Sequence, residues 1–172
     1  LRGGESAARS RRRGAPRRVV LPVGGEANEA VLRHVGEVVR ALDRRGLALD
    51  VVGGVHSGDL PAVDGLRVHG FVADPNDLLA SADLAVAVAG STVYALCRHG
   101  VPSVVIPFHD NQVPIAEAFA AAGVALTPTE PAEPAATVAL VERLLDDDVE
   151  RERLGAAAAR LVDGHGAARV VD

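Results

Sequence analysis

The chain has no tryptophan, no methionine and no lysine, a single tyrosine, three phenylalanines and one cysteine. Each scarcity removes something. Without lysine there can be no Gly-x-x-x-x-Gly-Lys-[Ser/Thr] phosphate loop, and no Gly-x-Gly-x-x-Gly fingerprint occurs either, so P-loop NTPases and NAD enzymes are disfavoured. Cys97 alone permits neither an internal disulfide nor a multi-cysteine metal site, which fits a reducing compartment and makes cytoplasm the expected location. His34, His56, His69, His99 and His165 show no metal-ligand spacing. No apolar run approaches the ~20 residues that span a bilayer, and the Arg-rich start lacks the apolar segment of a secretory signal. With so few aromatics, the core must be built from Val, Leu and Ala through many small contacts.

What is present suits one α/β domain. At 172 residues, 48% of them hydrophobic, the chain can bury one sizeable core but is short for two. The formal charge of -5 is unevenly spread: Arg2, Arg9, Arg11, Arg12, Arg13, Arg17 and Arg18 face only Glu5 in the opening stretch, so the remainder is acidic. That stretch has no interleaved aromatics and no periodicity. It reads as a solvated linker over residues 1–16, with no nucleic acid as partner, ahead of a domain over 17–172.

Strands and helices alternate along the domain. Arg18 to Val23 reads as a buried strand, Gly24-Gly25 as a turn, and Asn28 to Arg45 as a helix whose Val31, Leu32, Val35, Val38, Val39 and Leu42 share one face. Gly46 ends it. Leu47 to Val52 and Leu66 to Phe71 are expected strands, and Asp74 before Pro75 is the expected N-cap of a short helix over Asn76 to Ser81. Asp83 to Ala89 is an uninterrupted apolar run, as in a strand buried on both faces of a parallel sheet. A helix from Ser91-Thr92 to His99, a strand from Pro102 to Phe108, a helix over Val113 to Ala122 and a strand at Val124 to Thr127 follow. Helical patterns over 135–145 and 149–162, split by Asp146-Asp147-Asp148, complete a doubly wound, Rossmann-like parallel sheet of about five or six strands. Ligands of such sheets bind beyond the carboxyl ends of the strands, at the switch point.

Two polar clusters fall there. In Ala89-Gly90-Ser91-Thr92 a buried strand delivers a glycine and two hydroxyls to a helix start, where outward N–H groups favour an anion; a serine N-cap beside a permissive glycine would look the same. His109, Asp110, Asn111 and Gln112 follow the next buried strand, although turn formers alone could account for them. Gly24 and Gly25 would let a ligand approach the backbone closely. His109 is the one candidate acid or base. Tyr94 and Cys97, three apart on the helix, read as packing residues.

Gly70-Phe71-Val72-Ala73-Asp74, Ala82 to Val86, Ala89-Gly90-Ser91-Thr92, Gly100-Val101-Pro102 to Ile106 and Asp110-Asn111-Gln112, in this order and spacing, resemble the C-terminal domain of GT-B nucleotide-sugar enzymes. The resemblance is nearest to the UDP-sugar hydrolase of pseudaminic acid synthesis, then to the lipid II-forming N-acetylglucosaminyltransferase family. Leu161 to Ala167 resembles the hydrolase family's closing segment. The family resemblance as a whole runs from about Arg17 to the end and so covers nearly the whole chain.

The resemblance implies a partner, a UDP-sugar, and no cofactor or metal. Gly90, Ser91 and Thr92 would meet the diphosphate, the backbone of Phe71 and Val72 would flank the uracil, and Asn111 and Gln112 would face the sugar, with Gly24 and Gly25 lining the cleft. An N-terminal domain would supply the acceptor site or the catalytic base. One departure stands out: these families place a glutamate for the ribose hydroxyls where this chain has Ala95. The alternative is therefore a non-catalytic, degenerate GT-B domain serving regulation or interaction.

Overall fold

A computed structural model describes residues 16–25, 28–165 and 169; most of the expected linker, Leu1 to Ala15, lies outside them. Five strands, β1 (Arg18–Gly24), β2 (Ala48–Gly53), β3 (Leu66–Val68), β4 (Leu84–Val88) and β5 (Ser103–Ile106), form one parallel sheet in the order β3-β2-β1-β4-β5. Among the described residues, six α-helices flank it: α1 (Glu29–Leu42), α2 (Asn76–Ala80), α3 (Thr92–Arg98), α4 (Val113–Ala121), α5 (Pro134–Asp146) and α6 (Asp148–Leu161).

Alternation along the strands divides the core in two. Val19, Leu21 and Val23 of β1 join Leu49, Val51, Leu84, Val86, Val104 and Ile106 beneath α1 and α5. Val20, Val52, Ala85, Ala87 and Val105 point the other way, into residues of α2, α3, α4 and α6 that include Leu79, Leu96, Phe119 and Ala158. Both faces of β4 are thus dry, which is why its sequence is unbroken by polar residues. Small side chains on the second face let α3 and α6 come close: a methyl on Gly155 of α6 would lie 2.6 Å from the Gly100 carbonyl oxygen.

Element ends obey local chemistry. The Asn28 side chain accepts from the Val31 N–H at 3.0 Å, and α1 gives way after Leu42 to a 3-10 turn (Asp43–Arg45) that ends on left-handed Gly46, the expected stop. Asp147 caps α6 by accepting from the Glu150 N–H at 2.9 Å. Three expectations change. The N-cap of α2 is Pro75, not Asp74, whose carboxylate instead accepts from the Asn76 N–H in a local turn. β3 stops at Val68, because Gly70 (φ +59°) bends the chain away two residues on. Val124 to Thr127 makes only one parallel bridge, Val104 to Leu126, since Pro128 follows and cannot donate to a ladder.

Candidate functional site

The crossover after β1 sends α1 over one face of the sheet, and the crossover after β4 sends α3 over the other. β1 and β4 are neighbours, so the carboxyl edge opens between them. Along that edge the loops run in the order Phe71, Gly53, Gly24, Gly90, His109. The sheet therefore brings every residue expected at the site to one side of the molecule. From β3 to β4 is three interstrand spacings, about 14 Å.

At the end of β1, Gly24 has φ +87° and its carbonyl accepts from the Gly54 N–H at 3.0 Å. A methyl on Gly24 or Gly25 would meet nothing within 4 Å, so both border open space. The close approach is made by Gly53 (φ +132°), where a methyl would fall 2.3 Å from the Gly24 oxygen. That Gly53 presses against β1 depends on a neighbour 29 positions away.

Gly90 does not have a positive φ, and a methyl there would touch only the Val88 oxygen at 4.0 Å. Neither backbone nor packing requires glycine at this position. Ser91 occupies the N-cap position of α3 in a helical conformation (φ -58°, ψ -29°) and its side chain makes no capping hydrogen bond. The simple N-cap reading of the motif is thus not realised. The first turn closes tightly, from the Val93 N–H to the Gly90 oxygen and from the Tyr94 N–H to the Ser91 oxygen. The Ser91 and Thr92 amides precede these bonds, and with the exposed Ser91 hydroxyl they form a donor group at the switch point.

Beyond β5, Asp110–Gln112 form a 3-10 turn with His109, Asp110 and Asn111 exposed. Gln112 is partly committed to the loop itself: its Oε1 accepts from the Phe108 N–H at 2.8 Å, leaving the amide NH2 as its outward group. Phe108 in turn meets the ring of buried His34 edge-on, with centroids 5.2 Å apart, and His34 Nε2 lies 2.9 Å from Thr137 Oγ1. Burial, aided by Arg33, holds the His34 pKa below its ordinary value. This link from α1 and α5 to the β5 loop escaped the sequence reading, because His34 is 74 positions from Phe108 and 103 from Thr137.

Phe71 is 87% exposed, while Val72 packs against the core on the α2–α3 side. Of the two residues read as packing, Cys97 is buried, which pushes its thiol up to about 11 and keeps it unreactive. Tyr94 is not: it is 51% exposed, its ring edge-on to Phe119 at 5.1 Å, because it lies on the outer side of α3. Tyr94, Phe119 and Leu161 border a cavity of about 520 Å³ on the flank of α3, α4 and α6. At the carboxyl edge Phe71, Ser91, His109, Asp110 and Asn111 are exposed, and Gly24 and Gly25 border open space. No metal-binding cluster occurs among the described residues, and none of their helices is long and apolar enough to cross a membrane.

No family model matches the chain. It is 32% identical over 168 residues to the UDP-N-acetylglucosamine-N-acetylmuramyl-(pentapeptide) pyrophosphoryl-undecaprenol N-acetylglucosamine transferase of Exiguobacterium sp., covering 91% of this chain and 46% of that protein. It is 30% identical over 165 residues to the transferase of the same name from Clavibacter michiganensis, covering 92% and 45%. The chain thus spans less than half the length of the curated relatives it matches. Among solved structures it superposes on the calicheamicin glycosyltransferase CalG4 with a TM-score of 0.70 at 23% identity, covering 91% of this chain and 42% of that one. For the spinosyn rhamnosyltransferase SpnG complexed with thymidine diphosphate the TM-score is 0.67 at 24% identity, with coverages of 88% and 42%. The homologues are glycosyltransferases, and the fold is the Rossmann-like domain of the GT-B architecture.

Proposed function

We propose that this chain is the C-terminal, nucleotide-sugar-binding half of a GT-B glycosyltransferase, with a UDP-sugar as donor and residues 17–172 as the binding domain. The observation that carries the reading is the donor group at the switch point, where Gly90 is needed by neither backbone nor packing and the Ser91 hydroxyl is spent on no cap. The relatives are named for UDP-N-acetylglucosamine, and a glycosyltransferase of this fold is complexed with thymidine diphosphate. In transfer, the bond from the anomeric carbon to the diphosphate oxygen breaks and negative charge grows on the leaving group. Fixed N–H and O–H donors at Ser91 and Thr92 stabilise that charge.

The rest of the nucleotide follows the edge. The roughly 14 Å between β3 and β4 suits a base at Phe71-Val72 and a diphosphate at Gly90 to Thr92, with the sugar toward Asp110, Asn111 and Gln112. Gly24 and Gly25 leave the cleft floor open. His109, exposed beside Asp110 at the turn after β5, is a titratable side chain that could move a proton near the leaving phosphate. An exposed edge positions only half of a reaction, so a preceding N-terminal domain would close the cleft and bring the acceptor or the base. The single cysteine suits a cytoplasmic setting, and nucleic acid is not the expected partner.

Calorimetry with uridine diphosphate tests the reading. Ser91→Asp, which sets a carboxylate against the phosphates on an exposed residue, should abolish binding while the fold survives. Unchanged affinity in folded Ser91→Asp would show the phosphates bind elsewhere. Two observations sustain other outcomes. Leu161 to Ala167 resembles the pseudaminic acid pathway hydrolase, so water could be the acceptor; Gly166 and Ala167 lie outside the described residues. Ala95, where these families carry a ribose-binding glutamate, favours a non-catalytic module, and failure of the native chain to bind any nucleoside diphosphate would establish that alternative.

A further inference from the structure

Asp50 lies in the middle of β2, in an otherwise apolar run, and is fully buried. A buried carboxylate is costly, and an apolar residue of similar size would serve stability as well. Its partners lie on either side. His69 Nε2, at the end of β3, is 2.6 Å from Oδ1, and Arg18 Nε, on β1, is 3.2 Å from Oδ2, an ion pair too poorly aligned to give that oxygen a hydrogen bond. Arg18 continues the chain of contacts, because its Nη1 donates to Ser81 Oγ at 2.9 Å and Ser81 Oγ donates to the Leu78 oxygen at 2.7 Å. The Arg17 and Arg18 amides both donate to Asp83 Oδ2, which fixes the start of β1 against β4.

His69 and Ser81 are the two ends of the segment that leaves β3, exposes Phe71, forms α2 and enters β4. At the first end the His69 N–H donates to the Val51 oxygen and the Gly53 N–H to the Gly70 oxygen, both at 2.9 Å. Gly70 then turns with φ +59° and releases Phe71 into solvent. We propose that Asp50, through His69 and Arg18, clamps both ends of residues 69–81 and so positions Phe71-Val72 to select the base of the nucleotide. This rests on the base lying at Phe71-Val72. None of the three side chains needs to touch the ligand; they are positioning residues.

The test pairs a ligand-free measurement with a binding measurement on the 172-residue chain. In His69→Ala, amide hydrogen exchange should rise across residues 70–81 and stay unchanged in α4 and α5; unchanged exchange over 70–81 overturns the clamp whatever the protein binds. Calorimetry should show uridine diphosphate weakened roughly tenfold, equivalent to ~1.4 kcal/mol, with inorganic pyrophosphate unaffected. His69→Gln, which can still donate to Asp50, should restore most of the loss. Equal weakening of both ligands would mark the effect as general destabilisation and overturn the base-selecting role. Native protein that binds neither ligand, with exchange still rising in His69→Ala, would refute the nucleotide reading and with it the base-selecting role, while the clamp stands.

Discussion

At the residue scale, the departure at position 95 makes the sharpest prediction. Ala95 sits one helical turn after Ser91, partly buried against the α2–α3 side of the core, and helical side chains lean toward the helix N-terminus. Ala95→Glu should therefore aim a carboxylate toward a nucleotide held at Ser91. Hydrogen bonds to a charged group contribute about 1.5–3 kcal/mol, so uridine diphosphate should bind roughly tenfold tighter or better. The gain should vanish with a 2',3'-dideoxy analogue, and an unchanged affinity would place the ribose elsewhere. His34 predicts a pH effect on stability. Its folded pKa is depressed by burial from the ordinary 6.5, so the neutral ring's contribution is complete above that pH and is lost as pH falls from there through the folded value, the window in which the unfolded chain binds the proton more readily than the folded one. Urea midpoints at pH 7.5 and 5.5 should diverge more in the native chain than in His34→Gln. Equal divergence would show that His34 is not the group responsible.

At the element scale, the contact of α3 with α6 is the tightest test of packing. Gly155→Ala would push a methyl to 2.6 Å from the Gly100 oxygen, a backbone atom that cannot rotate away. Overpacking of this kind costs about 1–3 kcal/mol, or roughly 2–4 °C of Tm per kcal/mol in a domain of this size. A Tm within about a degree of the native value would mean the helices slide apart freely. Because α3 carries Ser91, nucleotide affinity should fall with stability in this variant. Most elements were legible, since the apolar run of β4 and the spaced valines of α1 each follow from one local period. Some of what was misread is local, as where Asp74 turns onto Asn76 or Pro128 ends the last expected strand, and some depends on distant chain. β3 ends early at a glycine turn braced by Gly53, and Tyr94 faces outward because α3 rests on the sheet through Val93 and Leu96 instead.

At the scale of the whole molecule, an open carboxyl edge predicts binding without turnover. The 172-residue chain, given a UDP-sugar, should neither hydrolyse nor transfer it, because one wall of a cleft cannot both position an acceptor and move its proton. Adding a complementary N-terminal half in trans should restore activity. Turnover by the chain alone, abolished in His109→Ala, would show that this half holds its own catalyst. The sequence by itself determined the alternation of strands and helices, the two-faced burial of β4 and the two polar clusters at strand ends, because hydrophobic period and turn chemistry are local properties. Only the tertiary structure decided that Ser91 is not consumed as a cap, that Gln112 is half spent on Phe108, and that Asp50 joins His69 to Arg18 across three strands. Those facts depend on which strands become neighbours, and the order β3-β2-β1-β4-β5 places side by side residues that local pattern cannot relate.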